Sequence, residues 1–115
     1  MSLSWEQITI DSSDPQQLGR WWCDALSWVI VSDDDQEFEI RPTPTTTPGI
    51  LFIRVPDVKV SKNRLHLDLR PDSQEREVAR LEAMGARRVD IGQGATSWVV
   101  LADPEGNEFC VLRDS

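Results

Sequence analysis

Near the start of the chain, Ile8 and Ile10 are interleaved with Gln7, Thr9 and Asp11. A period of two predicts a short strand with one buried face. Asp14-Pro15 follows, with Gln17 three residues after Asp14. Asp is a favoured N-cap, Pro suits the first helical position, and Gln17 completes a capping box. Leu18, Trp21, Trp22, Ala25 and Leu26 then fall at i, i+3, i+4, i+7 and i+8, which is one apolar stripe of a helix. Trp21 and Trp22 are adjacent, so only one is expected at the stripe's centre; the other should lie at its edge or under a partner subunit. Trp28 to Val31 and Phe38 to Ile40 predict two strands joined by the acidic turn Ser32 to Gln36. Arg41 to Gly49 holds three prolines and four threonines, so it reads as a loop. It is either a lid or an unstructured connection. Ile50 to Val55 predicts a fourth strand.

The pattern then restarts. Leu65, Leu67 and Leu69 alternate with Arg64, His66, Asp68 and Arg70, predicting another half-buried strand. Pro71-Asp72-Ser73 caps a second helix, with Glu75 three residues after Asp72 and Val78, Leu81 and Met84 as its stripe. Gly85 stands where a left-handed terminating residue belongs. Arg87 to Ile91, Ser97 to Leu101 and Glu108 to Leu112 predict three more strands. Asp103 to Asn107 is a tight turn explained by Pro104 and Gly106, without the acidic spacing of a calcium loop. The order is β-α-β-β-β twice, about 58 residues apart, with Gln7 corresponding to His66. The expected fold class is α+β: one domain over 1–115, with a first βαβββ module at about 4–57 and a second at about 63–114.

Charge and composition narrow the function. The 115 residues carry a formal net charge of −8, with 39% hydrophobic and 28% charged residues. That describes a globular chain with a poor claim on phosphate backbones, so nucleic acid is not expected as a partner. No apolar stretch approaches a membrane span, and residues 1–10 lack the basic start and apolar run of a signal peptide. The expected location is cytoplasmic, with Cys23 and Cys110 as free thiols. No phosphate-binding loop, dinucleotide fingerprint or serine elbow is present.

The run Lys62-Asn63-Arg64-Leu65-His66-Leu67-Asp68-Leu69 resembles the start of the second module in glyoxalase-like domain proteins of the vicinal-oxygen-chelate superfamily, which includes glyoxalases, bleomycin-resistance proteins and dioxygenases. Val78 to Gly85 (VARLEAMG) is similar to the matching helix, and Trp98 to Val111 (WVVLADPEGNEFCV) to the closing hairpin. Asp14-Pro15, the Trp21-Trp22 helix and Phe52 carry a weaker likeness in the first module. The resemblance implies two modules forming a cupped mixed sheet around a cavity, helices outside. It places metal-ligand positions at Gln7, His66 and Cys110, the last usually a glutamate. The fourth position falls near Phe52 to Arg54, where no acidic residue stands. Related folds often pair into homodimers, an arrangement the resemblance implies here too.

His66, the one histidine, is expected to face the cup as metal ligand, general base or a hydrogen-bonded cavity residue, with Asp68 or Gln7 as partner. Gln7 more often orients a ligand or water than binds a metal. Cys110 reads first as a small buried residue and second as a soft donor. Glu108, on the same face two residues earlier, is the alternative carboxylate ligand. Lys59, Lys62 and Arg64 form a basic run, read first as solvated linker charge and second as an anion-binding rim with Arg64 giving the planar contact. Of the five tryptophans, Trp98 is the candidate to line the cavity and stack on a flat ligand. The thinned ligand set favours a cup holding a small metabolite or drug without a resident metal. The alternative is a metal-assisted lyase or isomerase of the glyoxalase type, acting on a small oxygenated metabolite with His66 as ligand or base.

Overall fold

The computed structural model describes residues 2–114, and its contacts divide into two units between Val58 and Lys59. In the first, β1 (Gln7–Ser12) leads into α1 (Pro15–Leu26), then β2 (Val29–Asp33), β3 (Glu37–Arg41) and β4 (Gly49–Arg54). In the second, β5 (Asp68–Leu69) leads into α2 (Gln74–Ala83), then β6 (Arg87–Arg88), β7 (Val99–Ala102) and β8 (Glu108–Val111). The fold is α+β: two βαβββ modules, each with a four-stranded mixed sheet and one helix. The sheet orders are β1-β4-β3-β2 and β5-β8-β7-β6, so the repeat holds at the level of topology. In each, the first strand pairs parallel with the last and the other pairings are antiparallel. Among the described residues no helix is long and apolar enough to cross a membrane.

Helix α1 starts where Asp14 accepts from the Gln17 N–H. The capping box is not reciprocal as expected: the Asp14 N–H donates to Ser12 Oγ at 3.0 Å. Ser27 closes the helix in the left-handed region, at φ 56°. Leu18, Trp21, Trp22 and Ala25 are buried as the stripe predicts. Both tryptophans are buried, because their rings meet edge to face with centroids 5.1 Å apart and so share the stripe. They pack with Phe38, Ile40 and Phe52 in the first module's core. The Pro/Thr loop is pinned by Arg41, which reaches Glu39, Glu6 and the Pro44 carbonyl.

The second module is more sparsely paired than its pattern predicts. Ser73, not Asp72, caps α2 by accepting from the Arg76 N–H. Gly85 takes the left-handed conformation expected of it, φ 111°. The expected strand from Arg64 keeps only Asp68–Leu69, and Leu65 is 88% exposed. The reason lies in the ladder: Cys110 and Leu112 donate to the carbonyls of Leu67 and Leu69, so pairing begins only there. Beyond Val89, Asp90 and Gln93 side chains bond the N–H groups of Gly92 and Ile91, which turns the chain out of β6.

Candidate functional site

The second module's sheet aligns its chemically versatile side chains by register. Asp68 lies opposite Cys110, Cys110 opposite Val100, Glu108 opposite Ala102, and Arg87 opposite Ala102. Residues opposite one another, and residues two apart on a strand, share a face. One face therefore carries Asp68, Cys110, Glu108 and Arg87. The same face holds an open depression of about 560 Å³, walled by the segment Lys59 to Lys62, by Arg87 to Ile91 and by the turn at Pro104 to Gly106.

At the β5 end, His66, Asp68 and Cys110 converge, each offering a donor atom within 4.8 Å of the other two. His66 Nδ1 is 3.0 Å from Asp68 Oδ1 and 3.9 Å from Cys110 Sγ. His66 and Asp68 are exposed and the thiol is buried. A carboxylate against Nδ1 favours the tautomer with its proton there, leaving the Nε2 lone pair for a ligand or an ion. Burial pushes the Cys110 thiol pKa up, and the neighbouring Asp68 carboxylate raises it further, against a smaller opposing pull from Lys62. The thiol keeps its proton at neutral pH and is a poor nucleophile. The geometry agrees, since thiol and carboxylate both approach Nδ1, whereas a Cys-His-Asp relay needs them on opposite ring nitrogens.

Glu108 is committed elsewhere. Its oxygens accept from Lys59 Nζ at 2.9 Å and from the Asn63 N–H at 2.8 Å. Burial pushes its carboxyl pKa up, but the bonds from Asn63 and Lys59 together hold it below the usual range. Of the basic run, Lys59 thus serves as an internal partner, while Arg64 is exposed and Lys62 lines the depression. Gln7 lies in the first module, opposite Gly49 on β4. Trp98, immediately ahead of β7, is 40% exposed.

The structure thus gathers His66, Asp68 and Cys110, and separates Glu108 from them through its bonds to Lys59 and Asn63. Sequence alternation already put His66 beside Asp68. It gave no signal for Lys59 reaching Glu108, a contact spanning 49 residues of chain. Imidazole nitrogen, carboxylate oxygen and thiol sulfur are a donor set that suits a borderline divalent ion such as zinc, once the thiol is deprotonated.

The sequence model described as "Glyoxalase-like domain" matches residues 7–112. No curated protein matches the chain. Among solved structures, a glyoxalase/bleomycin resistance protein/dioxygenase family enzyme from Burkholderia phytofirmans PsJN is similar at TM-score 0.72 and 16% identity, over 92% of this chain and 94% of that one. An antibiotic binding protein from Streptomyces sp. CB03234 is similar at TM-score 0.67 and 18% identity, over 100% and 99%. The bleomycin resistance determinant encoded on transposon Tn5 is similar at TM-score 0.63 and 14% identity, over 98% and 99%. At these identities the likeness is one of fold.

Proposed function

The chain belongs to the glyoxalase-like domain family of the vicinal-oxygen-chelate superfamily, and from that premise we propose that it binds a small polar organic molecule at His66, Asp68 and Cys110. One observation carries the reading: three chemically different polar groups converge within 4.8 Å at the β5 end of a sheet whose Arg87 and Glu108 line the open depression. A few convergent polar groups beside a concavity are the usual composition of a ligand site. His66 offers a ring nitrogen and Asp68 a carboxyl group, 3.0 Å apart. Arg64 supplies a planar cation for an anionic group, and Trp98 an exposed aromatic surface for a flat one. The antibiotic-binding and bleomycin-resistance neighbours support a ligand that is bound and retained rather than turned over.

The test is a protein-observed NMR screen of polar fragments together with metal-free bleomycin, followed by titration of any hit against His66→Ala and Asp68→Asn. Saturable shifts at His66, Asp68 and Cys110, with affinity weakened about tenfold (about 1.4 kcal/mol) in either variant, are expected. Shifts clustering away from those residues, or none with any ligand, would overturn the reading.

The donor set favours a second reading, in which His66, Asp68 and Cys110 hold a divalent ion and the protein is a lyase or isomerase of the glyoxalase type. The ion would supply Lewis-acid polarisation of a substrate oxygen. His66 and Asp68 would hold it, and Cys110 would join them as thiolate. Thermal-shift titration separates the readings, because an ion binding only the folded state at a hundredfold excess over Kd adds about 3 kcal/mol. A sulfur donor predicts a response to zinc or nickel above manganese or magnesium, lost in Cys110→Ser. No response to any of the four ions removes this reading and leaves the first intact.

A further inference from the structure

We propose that Lys59 to Asn63 is a strap across the second module's depression, latched by the single carboxylate of Glu108, and that it opens while the sheet beneath stays folded, so admitting a ligand. The strap has no regular secondary structure, and Lys59 to Lys62 wall one side of the depression. No apolar burial holds it down: Val60 is 92% exposed, and Val58 and Leu65 on its flanks are 70% and 88% exposed. Its two ends are fastened instead. Lys59 Nζ donates to Glu108 Oε2 at 2.9 Å, and the Asn63 N–H donates to Oε1 at 2.8 Å. The Asn63 side-chain amide adds a longer bond, 3.4 Å, to the Glu108 carbonyl. Among the described residues, every hydrogen bond tying residues 59–63 to the sheet runs to Glu108.

The other walls are built differently. The Val89 N–H donates to the Val100 carbonyl at 3.1 Å, and the Ile91 N–H to the Gln93 side chain at 2.8 Å. In the turn at Pro104 to Gly106, buried Asp103 accepts from the N–H groups of Glu105 and Asn107. Those walls belong to the sheet and its turns, whereas the strap depends on one side chain. A segment with few buried apolar contacts opens at a lower free energy than the sheet it lies on. Both tethers end on the same carboxylate, so losing it frees both ends together.

The latch stands beside the floor of the depression. Ala102 lines the depression yet is only 1% exposed, and in the ladder it lies opposite Glu108 on one side and Arg87 on the other. Held by Lys59 and Asn63, the Glu108 side chain keeps its place next to Ala102. Released, it is free to swing into solvent as the strap lifts, and the floor is uncovered. The variants that test this leave His66, Asp68 and Cys110 untouched, so the strap can fail with the ligand-binding reading intact, and the reverse.

The test is amide exchange on the full chain, followed by NMR over a series of urea concentrations below the unfolding midpoint. The Asn63 amide should exchange at a rate nearly independent of urea, because a local opening exposes little surface. The amides of Leu101 and Phe109, buried at the centre of the β7–β8 ladder, should show the steep urea dependence of global unfolding. Lys59→Met should speed Asn63 exchange about tenfold and leave its urea dependence flat. Entry is read with Ala102→Cys, labelled by iodoacetamide and located by mass spectrometry, with melting temperature as the check on folding. Label at position 102 should accumulate with the same flat urea dependence, and about tenfold faster once Lys59→Met is added. An Asn63 amide that shares the steep dependence of Leu101 and Phe109, or that ignores Lys59→Met, overturns the proposal. So does labelling at position 102 that needs global unfolding or that Lys59→Met leaves unchanged.

Discussion

Lys59 Nζ holds the carboxylate of Glu108 at 2.9 Å, and the same carboxylate takes the Asn63 N–H, so one side chain on β8 fastens the segment that enters the second module. Side-chain exposures of 21% and 13% make this a partly buried, charge-assisted contact, stronger than a typical surface pair. Glu108→Gln keeps an acceptor for Asn63 but removes the charge, and should lower stability by about 1–2 kcal/mol. Lys59→Met should cost a similar amount, and the double variant less than the sum, because the two share one interaction. Urea unfolding of the four proteins measures this. Strict additivity would show that the contact contributes nothing.

Gly19 is fixed by Phe38. A Cβ at position 19 would stand 2.8 Å from Phe38 Cγ and 2.9 Å from Cε1, and closer still to Cδ1, while Phe38 is fully buried. Gly19→Ala gains about 1 kcal/mol of helix propensity. Overpacking a rigid core costs about 1–3 kcal/mol, and a fully buried ring has little room to move. The expected outcome is a net loss, partly recovered by Phe38→Leu in the same chain. Denaturant midpoints decide it, and a stabilised Gly19→Ala would mean that β3 yields.

How much was legible from sequence follows from the range of the interactions. The α1 stripe, the Asp14 cap, Gly85 and the turn at Pro104 and Gly106 depend on neighbours a few residues away, and periodicity or turn chemistry reports them. The two-module order also survived, because it is set by eight predicted strands and two helices read independently. Leu65 misled because alternation specifies a face and not the partner that would cover it. His66 beside Asp68 was readable, being two residues apart. That Cys110 lies opposite Asp68, and that Glu108 is held by Lys59, depends on ladder register across more than 40 residues, which local pattern does not encode.

Glu77 and Arg80 give a pH dependence with a defined sign. Arg80 donates to Glu77 at 2.9 and 3.2 Å, and that hydrogen bonding holds the Glu77 carboxyl below its ordinary value, against the upward push of burial. A lowered folded-state value means stability that is present above the unfolded pKa and lost as pH falls through the folded one. The pair is 38% and 40% exposed, so solvent screening limits it to about 0.3–0.5 kcal/mol. Glu77→Gln should be less stable by that amount at neutral pH and equal to the parent in acid. Urea curves at both ends of the range check it, and a gap that persists in acid would point to packing.

Asp103 is buried, and its Oδ1 accepts from the N–H groups of Glu105 and Asn107, both at 2.9 Å, inside the turn between β7 and β8. Pro104 and Gly106 supply backbone shape, with Gly106 at φ 88°, but the carboxylate satisfies the donors that shape exposes. Asp103→Ala leaves both N–H groups without this acceptor, at a cost of about 1–3 kcal/mol for each buried donor that water does not reach. A net loss of about 2–3 kcal/mol is therefore expected, with Asp103→Asn intermediate because it keeps one acceptor oxygen. Amide exchange at Glu105 and Asn107 should accelerate in Asp103→Ala beyond what the global loss explains, since the turn would open before the sheet does. Unchanged exchange at those two amides, with stability retained, would assign the turn to Pro104 and Gly106 alone.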